Sequence, residues 1–159
     1  SGPHSNGFTL IRKLLELEAG EKAIDLKKSL ISPTKLYSDF AQDRTILEIC
    51  SGFAHITGGG IIDNLPRVFP KGLSAKMQLN SWDVPSSLSW AIKKAQLSQH
   101  QALQTFNCGI GFIAIVPRNK SKEFVIQCKK INEPIVKIGE IVQGNELEFE
   151  GSLNIDSFL

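Results

Sequence analysis

Apolar residues recur at helical spacing in several stretches of the chain. The clearest stretch is residues 7–18, where apolar positions three and four residues apart form one wide stripe. Asn6, just before it, is a candidate N-cap, and Gly20 after it can supply the left-handed residue that ends a helix. The same spacing predicts helices over residues 38–50, 86–95, 99–104 and 121–131.

Other stretches carry the pattern of β-strands. Apolar and polar residues alternate in residues 73–79 and 135–142, as expected for strands with one buried face. Residues 52–57 predict a short buried strand, residues 110–116 a central strand, and residues 147–149 a final short one. Helices and strands are interspersed, without an internal repeat or a linker. We therefore predict an α+β fold (an α/β sandwich), a mixed sheet covered by helices, in one domain over residues 1–159.

Composition excludes two classes of partner. The chain has 159 residues, 42% of them hydrophobic and 21% charged, which is close to the average of globular domains. Its net charge of +2 and its lack of lysine–arginine blocks argue against a nucleic-acid surface. The longest apolar stretch, residues 112–116, is far shorter than a membrane span. We expect neither a nucleic acid nor a membrane as partner.

The number and spacing of the cysteines indicate in which cellular compartment the protein works. Cys50, Cys108 and Cys128 are widely separated and show no zinc-ligand spacing. They predict buried free thiols in a reducing cytoplasm, and no metal site is predicted. No secretory signal is visible in the first residues, which lack an initiating methionine and read as mid-sequence material. We expect a cytoplasmic protein of which this chain is a fragment.

The strongest candidate for chemistry is the segment from His55 to Gly60, which reads His-Ile-Thr-Gly-Gly-Gly. A strand that runs into three glycines and then a helix leaves backbone N–H groups without steric cover, an arrangement suited to an anion such as phosphate. The alternative is a tight strand-to-helix turn without a ligand. The histidine and threonine that precede the glycines favour the anion site.

Weaker candidates lie in three other segments. The stretch His4-Ser5-Asn6-Gly7 places short polar groups and a glycine before a helix, and is either part of a site or a capping sequence. Arg67 is either a clamp for phosphate or carboxylate or an isolated surface arginine. Asn107, in the segment 106–111 before the apolar strand, either belongs to a site or satisfies its own turn.

Taken together, these segments resemble the second domain of aminoimidazole ribonucleotide synthetases. The resemblance rests on Ser-Gly-Pro-His-Ser-Asn-Gly at 1–7, Ala-His-Ile-Thr-Gly-Gly-Gly at 54–60, Asn-Leu-Pro-Arg-Val at 64–68, Thr-Phe-Asn-Cys-Gly-Ile-Gly at 105–111 and Ile-Gly-Glu at 138–140. Order and spacing agree over nearly the whole chain. Cys108 stands where the family usually has methionine, and the tail from Glu146 onward carries no family signal.

The resemblance implies an activity. The family's enzymes use ATP to phosphorylate the amide oxygen of formylglycinamidine ribonucleotide, and an amine of the same molecule then closes the ring to give aminoimidazole ribonucleotide, ADP and phosphate. It also implies that ATP and Mg²⁺ are held largely by an N-terminal domain absent from this chain, and that full-length members form homodimers. The expected partners are thus the ribonucleotide, the N-terminal domain and a second subunit. The chain alone is expected to be inactive.

The resemblance also implies site residues. His4 and His55 are the catalytic candidates, as proton-transfer or oxyanion-stabilising groups. The substrate-binding candidates are Ser5, Asn6, Gly7, Thr57, Gly58, Gly59, Gly60, Asn64, Arg67, Asn107 and Gly109.

Two other functions stay open at this stage. One is another activity of the same ATP-dependent superfamily, which includes formylglycinamidine ribonucleotide synthetase, thiamine-monophosphate kinase and selenophosphate synthetase. The other is a non-catalytic module that binds a nucleotide or phosphate.

Overall fold

The computed structural model of the chain describes residues 2–4, 6–18 and 21–155, and for residues 21–23 only the backbone. The helices in these ranges are α1 (Phe8–Glu16), α2 (Glu21–Leu30), α3 (Ser38–Gln42), α4 (Arg44–Ile49), α5 (Gly60–Asn64), α6 (Ser86–Lys94), α7 (Gln99–Thr105) and α8 (Ser121–Lys130). The strands are β1 (Gly52–His55), β2 (Leu73–Gln78), β3 (Asp83–Val84), β4 (Phe112–Ile115), β5 (Gly139–Gln143), β6 (Glu148–Glu150) and β7 (Asn154–Ile155).

The strands form three small sheets. β1 and β4 make an antiparallel ribbon, β3 pairs with β7 in parallel, and β2 lies between β5 and β6. The three-stranded sheet is mixed, since β2 runs antiparallel to β5 and parallel to β6. The α+β prediction is confirmed. The prediction of a central strand over residues 110–116 is wrong, because β4 pairs with β1 alone among the strands described.

The β1–β4 ribbon is covered on both faces. Ala54 and Ile113 belong to the large hydrophobic cluster, which also holds buried residues of α1, α5, α6 and α7. Phe53 and Phe112 face the other way, against a smaller cluster built from α3, α4 and α8. Alternate residues of a strand point to opposite faces, so the ribbon can contribute to both clusters. The end of the ribbon at His55 is therefore fixed by packing against both hydrophobic clusters.

For most of the strongly periodic helices, the predicted ends lie within two residues of the observed ones. The helix predicted over residues 38–50 is instead two short helices, α3 and α4. Asp43 adopts an extended backbone, with φ −60° and ψ 120°. Its Oδ1 accepts a hydrogen bond from Ile46 N at 2.9 Å, so Asp43 caps a new helix rather than continuing the old one. The sequence analysis did not predict α2, β3 or β7. The stop predicted at Gly20 lies outside the described residues.

The thiols and the helices bear on two further expectations. Cys50, Cys108 and Cys128 are free; Cys108 and Cys128 are buried as predicted, whereas Cys50 is only partly buried. Burial raises the pKa of Cys108 to about 12.

Of the helices that the structure describes, none combines the length and the apolar character needed to cross a bilayer.

Candidate functional site

Two histidines from distant segments meet beside the end of the β1–β4 ribbon. His55 ends β1 opposite Phe112, and the next residue, Ile56, donates its N–H to Gly111 O at 2.9 Å. His4 lies in a turn near the start of the chain, and its ring centroid is 6.0 Å from that of His55. The structure thus brings together both catalytic candidates of the sequence analysis.

Tyr37 completes this cluster and was missed by the sequence analysis. Its ring centroid lies 6.2 Å from that of His4 and 5.9 Å from that of His55. The ring also stacks on Phe112, with centroids 5.0 Å apart and planes inclined by 16°. Tyr37, His55 and Phe112 line one cavity of about 290 Å³. No spacing signal in the sequence connects this single tyrosine to either histidine.

Gly111 allows these side chains to converge. A Cβ on Gly111 would lie 2.2 Å from the Tyr37 hydroxyl oxygen, 2.5 Å from His4 Cε1 and 2.8 Å from His4 Nε2. Those distances are far below van der Waals contact, so a side chain would displace the tyrosine, the histidine or both. The hydroxyl of Tyr37 and the imidazole edge of His4 therefore approach the same small region above the backbone.

His4 is buried and has a left-handed backbone conformation. Burial lowers the pKa of His4, and nearby His55 lowers it further, against an opposing hydrogen bond with the backbone of Ile56. The ring is therefore neutral at pH 7 and offers one N–H donor and one nitrogen acceptor. The backbone of His4 has φ 53°, in the left-handed region, which costs a non-glycine residue about 1 kcal/mol. Such strain is common at functional sites.

The glycine turn after His55 is shaped by Asn64. The amide nitrogen of Asn64 donates to Thr57 O, Gly58 O and Gly60 O at 3.3, 3.1 and 2.7 Å. Its Oδ1 accepts from the Thr57 hydroxyl at 3.2 Å. Asn64 is 6% exposed, so its polar groups are used in holding the turn. The structure gives this substrate-binding candidate a positioning role.

The turn is open to an anion on one side. The amides of Gly58 and Gly59 donate no hydrogen bond to the residues that the structure describes. The carboxylate of Asp63 lies over Gly59, since a Cβ there would be 2.3 Å from Asp63 Oδ2, whereas a Cβ on Gly58 would meet nothing within 4 Å. Arg67 is tied to the turn through Asn64, with Nη1 3.4 Å from Oδ1. Because α5 has only five residues, its dipole adds little.

Three of the candidate glycines face the chain itself. A Cβ on Gly7 would lie 2.3 Å from a ring carbon of Phe106, and one on Gly109 would lie 2.7 Å from Pro85 Cδ. A Cβ on Gly60 would lie 2.0 Å from Leu103 O. All three have positive φ. The structure thus gives Gly7, Gly60 and Gly109 a packing reason that needs no ligand.

Asn107 also holds the site together. Its side chain is fully buried, its amide donates to Gly2 O at 2.9 Å, and its Oδ1 accepts from Gly109 N at 2.9 Å. These bonds tie the segment that carries His4 to the loop that precedes β4. The placement of His4 near Gly111 follows from this connection.

Asn6 differs from the other buried amides. It is 2% exposed, and neither its Oδ1 nor its Nδ2 has a hydrogen-bond partner in the described part of the chain. The N-cap of α1 is Gly7, with φ 67° and no side-chain cap, so the prediction of Asn6 as N-cap is wrong. An unpaired buried amide costs about 1–3 kcal/mol of stability. Ser5 lies outside the described residues.

Asn6→Leu is expected to raise the free energy of unfolding by about 1 kcal/mol, because it replaces an unpaired amide with an apolar group of similar size. Urea denaturation measures the change. Asn119→Leu, at an exposed position, is the control and is expected to give no gain. A loss of stability in Asn6→Leu would show that the amide is paired in the folded chain.

The chain is similar to proteins of one family along nearly its whole length. The family described as "AIR synthase related protein, C-terminal domain" matches residues 1–152. The chain is 37% identical over 156 residues to a phosphoribosylformylglycinamidine cyclo-ligase of Pseudothermotoga lettingae, covering 92% of this chain and 45% of that protein. It is 36% identical over 157 residues to the enzyme of the same name from Citrifermentans bemidjiense, and this match covers 90% of this chain and 43% of that protein. The chain thus spans less than half the length of these relatives.

A solved structure gives independent support for the fold. The chain is similar to the crystal structure of thiamine-monophosphate kinase from Stenotrophomonas maltophilia, with a TM-score of 0.61 over 96% of this chain and 49% of that one. The two sequences are only 13% identical, so this likeness concerns the fold alone. The family match, by contrast, includes every segment that forms the histidine cluster and the glycine turn. The chain therefore belongs to the family of AIR synthase related C-terminal domains.

Proposed function

We propose that this chain forms the ribonucleotide-binding side of a phosphoribosylformylglycinamidine cyclo-ligase. The reaction converts formylglycinamidine ribonucleotide and ATP to aminoimidazole ribonucleotide, ADP and phosphate. The observation that carries the proposal is the convergence of His4 and His55 at a ring distance of 6.0 Å, in segments that lie within the family match. The names of both relatives support the same reaction.

The histidines suit the proton movements of ring closure. An amine that attacks a carbon must lose a proton, and a neutral imidazole can accept one near pH 7. Burial keeps His4 neutral, whereas His55 lies exposed at the end of β1. In this proposal His55 contacts the reacting group directly, and His4 lies behind it as a donor or acceptor. Holding the two reacting ends of one molecule together supplies much of the remaining rate enhancement.

The anionic end of the ribonucleotide is assigned to the glycine turn. Support comes from the unpaired amides of Gly58 and Gly59 and from Arg67, which Asn64 holds beside the turn. Backbone amides and an arginine are complementary to phosphate oxygens. The Thr57 hydroxyl is already bonded to Asn64, so its role is to fix the turn. The sequence-based assignment of Thr57 and Gly60 as direct contacts stays a prediction.

ATP and Mg²⁺ are assigned in this proposal to another part of the enzyme. Among the residues described, no three or more metal-ligating side chains lie together. The roles that we assign to this chain's own residues accordingly include no metal ligand. We propose that ATP and Mg²⁺ are held by an N-terminal half, as the length of the relatives suggests. Homodimer formation and a cytoplasmic location belong to the same proposal.

His55→Ala tests the proposed function by ligand binding. In titration calorimetry of the chain, formylglycinamidine ribonucleotide is expected to bind. His55→Ala is expected to weaken this binding by about tenfold, because it removes one hydrogen bond to the ligand. His100→Ala is the matched control, since His100 is exposed on α7, and its affinity is expected to stay within about twofold of the wild type.

Two results count against the proposal. Tighter binding of thiamine monophosphate than of the ribonucleotide would assign the chain to another activity of the superfamily. In a protein that joins this chain to its ATP-binding half, His55→Ala is expected to lower kcat/KM by about 100-fold or more. A value within about twofold of the wild type would remove His55 from the site.

A further inference from the structure

We propose that Tyr37 is a ligand-contacting residue of this site, whose hydroxyl hydrogen-bonds the planar, amide-bearing end of the ribonucleotide. This inference rests on the proposed function and adds a substrate contact to it. It places the two ends of the ligand on different groups, with the anionic end at the glycine turn and the amide end between Tyr37 and the histidines.

The position of the hydroxyl is well defined. The tyrosine ring stacks on Phe112, which fixes its orientation. Its hydroxyl end reaches the backbone at Gly111, where a Cβ would lie 2.2 Å from the oxygen. The edge of His4 reaches the same region, with Nε2 2.8 Å from that Cβ position. The phenol therefore points into the histidine cluster rather than out to solvent.

The hydroxyl is also available for a ligand. Among the described residues, no side-chain hydrogen bond is found for Tyr37, although its hydroxyl could both donate and accept one. The ring is partly exposed and lines the cavity of about 290 Å³ together with His55 and Phe112. The Tyr37 phenol and the His55 imidazole therefore border the same cavity.

The lining of the cavity favours an uncharged, flat group. Phe112, Leu36 and Ala41 supply apolar surface, and the lysine in the lining, Lys35, forms an ion pair with Glu133. A phosphate would lose its hydration here without gaining an unpaired positive charge. An amide, in contrast, can lie against aromatic surface while its oxygen and N–H bond to a phenol and an imidazole.

Tyr37→Phe tests this contact, because it keeps the ring and its stacking on Phe112 and removes only the hydroxyl. Calorimetry is expected to show formylglycinamidine ribonucleotide binding about tenfold more weakly, while ribose 5-phosphate, which lacks the amide, binds as to the wild type. Thr45→Val removes an exposed hydroxyl from α4 and serves as the control, with affinity expected within about twofold of the wild type. Thermal unfolding checks that both variants fold.

Equal affinity of Tyr37→Phe and wild type for formylglycinamidine ribonucleotide would overturn the inference. An equal loss for ribose 5-phosphate would overturn it too, because the hydroxyl would then act on the anionic end or on the fold. If the ribonucleotide binds and only His55→Ala weakens it, the proposed function stands and the role of Tyr37 falls. If the wild-type chain does not bind the ribonucleotide, both fall.

Discussion

Gly60→Ala is expected to destabilise the chain by about 3–5 kcal/mol, one of the largest effects available to a single methyl group. The new Cβ would lie 2.0 Å from Leu103 O and 2.8 Å from Phe106 O. Both are backbone atoms, the first within α7 and the second just after it, and neither can rotate away. The φ of 58° at Gly60 adds strain for any residue with a Cβ. The midpoint temperature of thermal unfolding is expected to fall by roughly 10 °C.

Gly58→Ala is the matched control two residues earlier in the same turn. A Cβ on Gly58 meets nothing within 4 Å, and its φ lies outside the left-handed region. Its free energy of unfolding is expected to change by no more than about 1 kcal/mol. Equal stability of the two variants would contradict the close packing of α5 on α7.

This contrast shows how far the glycine segment could be understood from sequence. Three glycines after a strand predicted a turn with bare amides, and the structure contains that turn. The sequence could not show that Gly60 is required by a carbonyl of α7, that Asp63 covers Gly59, or that Asn64 holds the turn. Each of these contacts depends on how separate segments pack. The potential anion site accordingly has fewer accessible backbone amides than the three glycines of the motif suggested.

The helices show a similar division between local and tertiary information. The helix of residues 121–131 has a continuous apolar stripe, and its prediction needed only local spacing. The predicted helix over residues 38–50 kept that spacing across Asp43, yet the chain caps a new helix there. The stripe could not reveal the break, because both short helices still bury the same apolar face in the smaller cluster.

The histidine cluster could be predicted only in part. The segments around His4 and His55 were recognisable as motifs, but their meeting depends on Asn107, which ties Gly2 to the loop before β4. Tyr37 lies in no motif that sequence reasoning singled out, and it joins the cluster because its ring stacks on Phe112. Sequence reasoning found the histidines of the site but neither Tyr37 nor the aromatic surface on which its ring stacks.

Gly111→Ala is expected to weaken binding of formylglycinamidine ribonucleotide by about 100-fold while the chain still folds. The φ of Gly111 lies outside the left-handed region, so alanine can adopt its backbone. The new Cβ would collide with side-chain ends instead, at 2.2 Å from the Tyr37 hydroxyl and 2.5 Å from His4 Cε1. Relieving these contacts moves the groups that we assign to the ligand, and costs about 1–3 kcal/mol of stability.

Gly52→Ala, at the other end of the β1–β4 ribbon, is the control. The nearest atom to its Cβ is Ile115 Cδ1 at 3.9 Å, which is ordinary contact, so affinity is expected to stay within about twofold of the wild type. The measurement combines calorimetry with the NMR shift of His4 Cε1–H, which reports the local rearrangement directly. A shifted His4 signal with wild-type affinity in Gly111→Ala would mean that the convergence of Tyr37 and His4 is a packing feature. Such a result would show that ligand binding does not depend on the arrangement of these two side chains.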